Sequence, residues 1–161
     1  MAIKIVKDFL DKNILNEIQS TLFGNTFPYH FYDNTTNKYD DKNFFFGHVI
    51  LYEGQVKSPY FFDIAMPILG KLDFNYIHRI KINCFVRNTM HFVSEPHRDM
   101  SEPHKVALFS INTNNGYTLF KDGDRVPSIE NQMLLFDGRE KHSSVTQTDT
   151  KLRVNININY V

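Results

Sequence analysis

One cysteine, Cys84, is the only thiol in this 161-residue chain. An intrachain disulfide is therefore excluded, and the composition suits a reducing compartment. Neither charge is in surplus, with 18 Lys and Arg against 18 Asp and Glu and no polybasic run. The electrostatic footprint of a nucleic-acid binder is missing, so no nucleic-acid partner is expected. Long apolar runs are missing too. The most apolar region, Tyr60 to Leu69, is too short to cross a bilayer and contains Asp63 and Pro67, while Lys4, Lys7 and Asp8 interrupt any signal-peptide core. A cytoplasmic, soluble protein with no membrane partner is the expectation. There is no linker or internal repeat, and the doubled Glu-Pro-His at 95–97 and 102–104 is too short to be one. The length fits one domain over residues 1–161, large enough to bury a core without metal or disulfide staples.

What is present divides near residue 70. In the first half, Asp11 is placed to cap a helix whose apolar residues Ile14, Leu15, Ile18 and Leu22 recur at helical spacing, with Gly24 as a stop. Residues 25–42 read as loop, rich in Asn, Asp and Thr, with an aromatic cluster from Phe27 to Tyr32 that suits a lid over the core. Phe44 to Phe46 and His48 to Tyr52 predict a strand. A second helix is expected from Ser58 as cap and Pro59 at its first position, with Phe61, Phe62, Ala65 and Leu69 on one stripe. Pro67 forces a kink or restart before the end near Gly70.

The second half changes period. Ile80, Ile82, Cys84 and Val86 alternate with Arg79, Lys81, Asn83, Phe85 and Arg87, the repeat of a half-buried strand, and Cys84 on the apolar phase is read as a small core residue. Further strands are expected at Met90–Val93, Val106–Asn112, Tyr117–Lys121, Gln132–Phe136, Ser143–Thr146 and Leu152–Tyr160. Between them stand turn signals at Asn114-Asn115-Gly116, Asp122-Gly123-Asp124 and Asp137-Gly138. No stretch after Gly70 invites a helix. The fold class is thus mostly β with N-terminal helices (α+β), an antiparallel sandwich or barrel. In the last strand Arg153, Asn155, Asn157 and Asn159 occupy one phase and Val154, Ile156, Ile158 and Tyr160 the other. If the polar phase lines an interior, Arg153 points into an amide-walled cavity suited to an anion; if it faces water, it is a solvated surface charge.

His97 and Asp99 form an H-x-D pair, whose side chains point the same way on an extended backbone. About one such pair is expected by chance in a chain of this composition, so the context matters more. His142 follows a strand and a turn and precedes another strand, which places it at a barrel mouth. Two imidazoles and one carboxylate leave a divalent ion with net positive charge and open positions. The other histidines read differently. His104 lies close to the pair but lacks a following arginine, His91 and Glu95 share parity with His97 as candidate supports, and His30, His48 and His78 read as ordinary polar side chains.

The order H-x-D, Asn-Gly-Tyr-Thr-Leu-Phe at 115–120, Asn131 to Phe136, His142 and Arg153 resembles the double-stranded β-helix (jelly-roll, cupin-like) of Fe(II)/2-oxoglutarate-dependent dioxygenases, especially the prolyl-4-hydroxylase-like branch. Arg79-Ile80-Lys81-Ile82-Asn83 and the helical first half are similar to compact single-domain members from phages of marine cyanobacteria, which would place the protein in a host cytoplasm. The resemblance implies helical support over about 8–70 and a β-helix core over about 75–161. It implies that His97, Asp99 and His142 bind Fe(II), and that Arg153 pairs with the distal carboxylate of 2-oxoglutarate. Relatives often carry a tyrosine near the place where this chain has Phe85, which has no hydrogen bond to give; its part falls to Asn83, Asn155, a hydroxyl elsewhere, or nothing. Thr118 is a further candidate for the cavity.

The activity implied is hydroxylation of a substrate C–H bond with O2, coupled to decarboxylation of 2-oxoglutarate to succinate and CO2, with ascorbate as a candidate reductant. The substrate implied is a prolyl residue in a peptide or protein, with a small amino-acid-like molecule also open, and Asn34–Asn43 is a candidate lid. Two other classes fit the same residues: a catalytically silent binding barrel, and a cupin-like metalloenzyme that does not use 2-oxoglutarate.

Overall fold

The computed structural model describes residues 3–34 and 43–161. In chain order its elements are β1 (Lys4–Val6), α1 (Lys12–Leu22), β2 (His30–Tyr32), β3 (Phe45–Tyr52), β4 (Gln55–Val56), a π-helical turn at Phe61–Ala65 running into α2 (Met66–Leu69), β5 (Ile77–Val86), β6 (Lys105–Ser110), β7 (Asn114–Phe120), β8 (Arg125–Ser128), β9 (Gln132–Asp137), β10 (His142–Val145) and β11 (Leu152–Tyr160). Among the described residues the strands form two antiparallel sheets. The larger runs β1-β9-β6-β11-β5-β3-β2, with β4 on β3, and the smaller runs β10-β7-β8. No described helix is long and apolar enough to cross a membrane. The lid expected at Asn34–Asn43 falls mostly on residues 35–42, outside the described residues.

Helix α1 forms as its pattern predicts. Asp11 accepts from the Asn13 backbone N–H at 2.9 Å, and Leu15, Ile18 and Leu22 are buried along one stripe. Asn131 ties the approach to this helix onto β9: its backbone is left-handed (φ 61°), its Oδ1 accepts from Leu10 N at 2.8 Å, and its Nδ2 donates to Leu10 O at 2.9 Å. Pro67 stands in the first turn of α2, where its missing N–H costs nothing, so the expected restart occurs. The expected stripe differs in one place. The i→i+5 turn rotates the register, so Phe62 is 73% exposed while Ile64, Ala65, Ile68 and Leu69 are buried.

The core lies between these helices and one face of the large sheet. Ile80, Ile82 and Cys84 of β5, Phe109 of β6 and Val154, Ile156 and Ile158 of β11 meet Leu15, Ile18, Ile64 and Ile68 there. A smaller cluster of Val106, Phe120, Val126, Leu134 and Phe136 joins the two sheets. Strand β11 is central, flanked by β5 and β6, and every residue from Arg153 to Tyr160 is buried, on both phases. The polar phase therefore faces the protein interior and not water.

Three departures from the expected strands have local causes. Asn114-Asn115-Gly116 is no hairpin turn; it opens β7, with a register shift before Tyr117, where the chain leaves the large sheet for the small one. Strand β8 contains Pro127, tolerated because β8 is the edge of its sheet. Met90–Val93 forms no ladder beyond the single bridge of Val93 to Val145, and the Thr146 hydroxyl accepts from the Phe92 N–H instead, at 2.9 Å.

Ile156→Ala, at a fully buried position of the core, is expected to cost about 2–5 kcal/mol, whereas Phe62→Ala should stay within about 0.5 kcal/mol. Urea unfolding midpoints of the two variants check this difference.

Candidate metal centre and its cavity

His97 and His142 are brought together by backbone pairing. Each donates its N–H to the other's carbonyl at 3.0 Å, an antiparallel bridge that sets both imidazoles on one face with ring centroids 4.8 Å apart. Asp99, two residues on, turns to the same side. Its Oδ1 is 3.7 Å from His97 Nε2 and 3.8 Å from His142 Nε2, and one ligand atom from each of the three residues lies within 4.8 Å of the others. The Nδ1 atoms are occupied, His97 with the Glu95 carbonyl at 3.0 Å and His142 with the Glu140 carbonyl at 3.2 Å. A ring that donates through Nδ1 presents the Nε2 lone pair, so both histidines are held in the tautomer that a metal needs. Two imidazoles and one carboxylate gathered at the edge of a cavity fit a divalent transition ion with open positions.

Asp99 is held from behind. Asn157 Nδ2 and Asn159 Nδ2 donate to its Oδ2 at 2.9 and 2.8 Å, and Arg79 Nη2 lies 3.7 Å from Oδ1. Burial alone would push this carboxyl up; the charge of His142, the Arg79 guanidinium and the two amides outweigh it and bring it down to about 2. Burial pushes the His142 imidazole down, against the lift from Asp99. With His142 uncharged at neutral pH, Arg79 and the amides still keep Asp99 ionised. Both groups are then in the protonation state of a metal ligand. Asn157 and Asn159 are residues whose role the sequence did not reveal. Their alternation with Arg153 was visible, but their partner was set by a segment about sixty positions away.

Arg153 points inward and is only 2% exposed. Its Nε donates to Ser128 Oγ at 2.9 Å and its Nη1 to Ser144 Oγ at 2.6 Å, and its Cζ stands 5.3 Å from the centre of the Phe85 ring. None of these partners is an anion, so among the described residues the guanidinium charge is uncompensated, and burial lowers its pKa to about 10. Phe85, in turn, stacks on Phe45 at 5.4 Å and supplies a ring face where a tyrosine would supply a hydroxyl. Gly116 makes room for this arrangement: a Cβ there would lie 2.9 Å from Arg153 Cδ and 2.8 Å from the Val145 carbonyl. Its sequence signal was present but read as a turn.

Arg153 and the His97–Asp99–His142 group open into one cavity of about 550 Å³, which Asn83, Phe85, Thr118, Asn155 and Asn157 also line. Asn83 Nδ2 donates to Asn155 Oδ1 at 3.0 Å, so the two amides form a cross-strand pair in its wall. His104 stays outside the group. Its Nδ1 meets the Glu102 carbonyl at 2.8 Å, and its ring lies where a Cβ on residue 138 would be, which explains the glycine there. His91 bonds the Thr146 carbonyl at 2.6 Å, and Glu95 supports His97 through its backbone carbonyl.

Solved structures share this fold at low sequence identity. An oxidoreductase of the 2OG-Fe(II) oxygenase family from Burkholderia pseudomallei superposes with a TM-score of 0.72 at 12% identity, over 98% of this chain and 84% of that one. A prolyl hydroxylase from Trichoplax adhaerens, in complex with a hypoxia inducible factor oxygen degradation domain peptide fragment, gives 0.63 at 11%, over 98% and 82%. The non-heme alpha ketoglutarate dependent epimerase SnoN from nogalamycin biosynthesis gives 0.66 at 13%, over 99% and 77%. No family model and no curated protein matches the chain. The fold is that of 2OG-Fe(II) oxygenases.

Replacing Asn157 or Asn159 by leucine removes a donor to Asp99 and is expected to weaken metal binding about 10- to 100-fold, read by calorimetric titration of the metal-free protein. The same carboxylate sets a pH dependence. Its folded pKa, about 2, lies below the unfolded value, so it stabilises the metal-free fold above about pH 4, and that contribution is lost as pH falls through about 2. Unfolding free energies measured from pH 6 to 2 should fall less steeply in Asp99→Asn than in the wild type, by on the order of 2 kcal/mol across the window.

Proposed function

We propose that the chain is an Fe(II)- and 2-oxoglutarate-dependent dioxygenase, with its two sheets as the layers of a double-stranded β-helix, and that it hydroxylates a C–H bond of a prolyl residue in a peptide or protein. The observation that carries this reading is the pairing, in one cavity, of a two-histidine, one-carboxylate group with a buried and uncompensated arginine. In this reading His97, Asp99 and His142 hold Fe(II), and Arg153 holds the distal carboxylate of 2-oxoglutarate. The bound iron and 2-oxoglutarate supply the oxidising chemistry with O2, releasing succinate and CO2, and ascorbate serves as an external reductant.

The chain's own residues supply placement. The Nδ1 hydrogen bonds of His97 and His142 fix the direction of both Nε2 lone pairs, and the amides of Asn157 and Asn159 fix the carboxylate plane of Asp99. Ser128, Ser144 and the Phe85 ring orient the guanidinium so that its planar fork meets a carboxylate bidentately. Because Asn83 donates to Asn155 Oδ1, the Asn155 NH2 group is the donor left to meet the co-substrate, the part that Phe85 has no hydroxyl for. Support for a prolyl peptide comes from the fold shared with a prolyl hydroxylase in complex with a peptide.

Anaerobic titration of the iron-loaded protein with 2-oxoglutarate should produce the visible metal-to-ligand charge-transfer band, and Arg153→Leu should weaken that titration by about 10- to 100-fold. A folded, iron-loaded protein that gives no band would sink the dioxygenase reading. Succinate release screened over proline peptides and free amino acids, with His142→Ala as the blank, tests the substrate.

A further inference from the structure

Five Lys or Arg side chains line the cavity against two carboxylates, Glu95 and Asp99. Most of these cations are already engaged. Arg79 donates to Asn159 Oδ1 at 3.0 Å and stands behind Asp99, and Arg98 donates to the Arg139 carbonyl at 2.7 Å. Arg153 bonds two serines and, in the reading above, the co-substrate. Lys141 is exposed. Lys81 is different. It is half-buried, and its ammonium has neither a hydrogen bond nor an ion pair among the described residues.

The surroundings of Lys81 hold it in place without neutralising it. Its Nζ stands 3.6 Å from the centre of the Tyr32 ring and 4.5 Å from that of Phe45. Ring faces orient a cation but carry no net charge. Gly47 on β3 makes the arrangement possible, because a Cβ there would lie 3.0 Å from both Lys81 Cε and Tyr32 Cε2. Burial first, and Arg79 second, lower the pKa of this lysine to about 8 and outweigh the lift from the Asp99 carboxylate.

Register places Lys81 beside the metal group. It pairs across the ladder with Asn157, the residue whose amide holds Asp99, whereas Phe85 pairs with Arg153 four residues further along. At the rise of an extended strand those two rows are roughly 13 Å apart. Lys81 and Arg153 thus stand on different rows of the ladder, Lys81 on the one nearer the metal group.

We infer that Lys81 is a specificity-determining residue for the primary substrate, and that its ammonium pairs with a carboxylate carried by the molecule whose C–H bond is hydroxylated. The inference rests on the dioxygenase reading and narrows its substrate class. The carboxylate has two sources: the α-carboxylate of a free amino acid, or the side chain of an acidic residue near the reacting one in a peptide.

The test compares succinate release, in iron-loaded protein at saturating 2-oxoglutarate, for L-proline against L-prolinamide and for a prolyl peptide with Asp beside the proline against its Asn counterpart. One pair should show an acid-over-neutral preference in kcat/KM of about tenfold or more, and which pair does so identifies the source. That preference should vanish in Lys81→Met and persist in Lys81→Arg. Equal rates, no stimulated succinate from any probe, or a preference that survives Lys81→Met would each overturn the assignment. So would a Lys81→Met protein whose 2-oxoglutarate affinity falls while its acid preference stays. The charge-transfer band separates the two levels: wild-type protein without the band removes the dioxygenase reading itself, while a band with no acid preference removes only the role of Lys81.

Discussion

Turning Arg153, Asn155, Asn157 and Asn159 to the inside of the protein takes four polar side chains out of water, and each has to recover hydrogen bonds there. The rest of the site follows from how that demand is met. Asn155 is paired by Asn83 from the neighbouring strand, Arg153 is met by Ser128 and Ser144 from the opposite sheet, and Asn157 and Asn159 together hold Asp99. Three of these partnerships link chain segments far apart in sequence, so the polar face of β11 helps fix how the segment around Asp99 and the small sheet approach the large one. The apolar face of the same strand does ordinary work against α1 and α2. One strand thus joins the core to the site, and its two phases divide the tasks.

Several of these features were legible from residue order. Helix α1 announced itself through Asp11 and its spacing, and Pro67 marked a restart because a proline N–H is dispensable only in a first turn. The parity of His97 with Asp99, and of Arg153 with the three asparagines, required only the two-residue repeat of a strand. What parity left open was the face. Whether the polar side of β11 meets water or an interior depends on the small sheet, and no local pattern states where that sheet lies. The same limit hid the partner of Asn157 and the backbone pairing of His97 with His142, since register between distant strands is a tertiary property.

Two local signals differ from what the structure shows. Gly116 looked like a turn residue because glycine near asparagine usually is one, yet here it clears space for the stem of Arg153. Phe62 fitted a regular helical stripe that a π-helical turn displaced. At Gly116 the local rule was overridden by a side chain from elsewhere in the chain. That position borders the cavity wall, where local preference and function are expected to part.

Cys84 lies between Asn83 and Phe85, both of which line the cavity, yet its own side chain points to the helical side of β5, where it is buried and its thiol is pushed up to about 11. The thiolate is the form that oxidants attack, and here it is both scarce and enclosed. For an oxidising reaction confined to the cavity, the backbone of β5 is a wall one residue thick with the chain's single thiol behind it. A slip of one residue in that strand's register would carry the sulfur through the wall, so on the dioxygenase reading proposed above the pairing that shapes the site also keeps the thiol away from the oxidant.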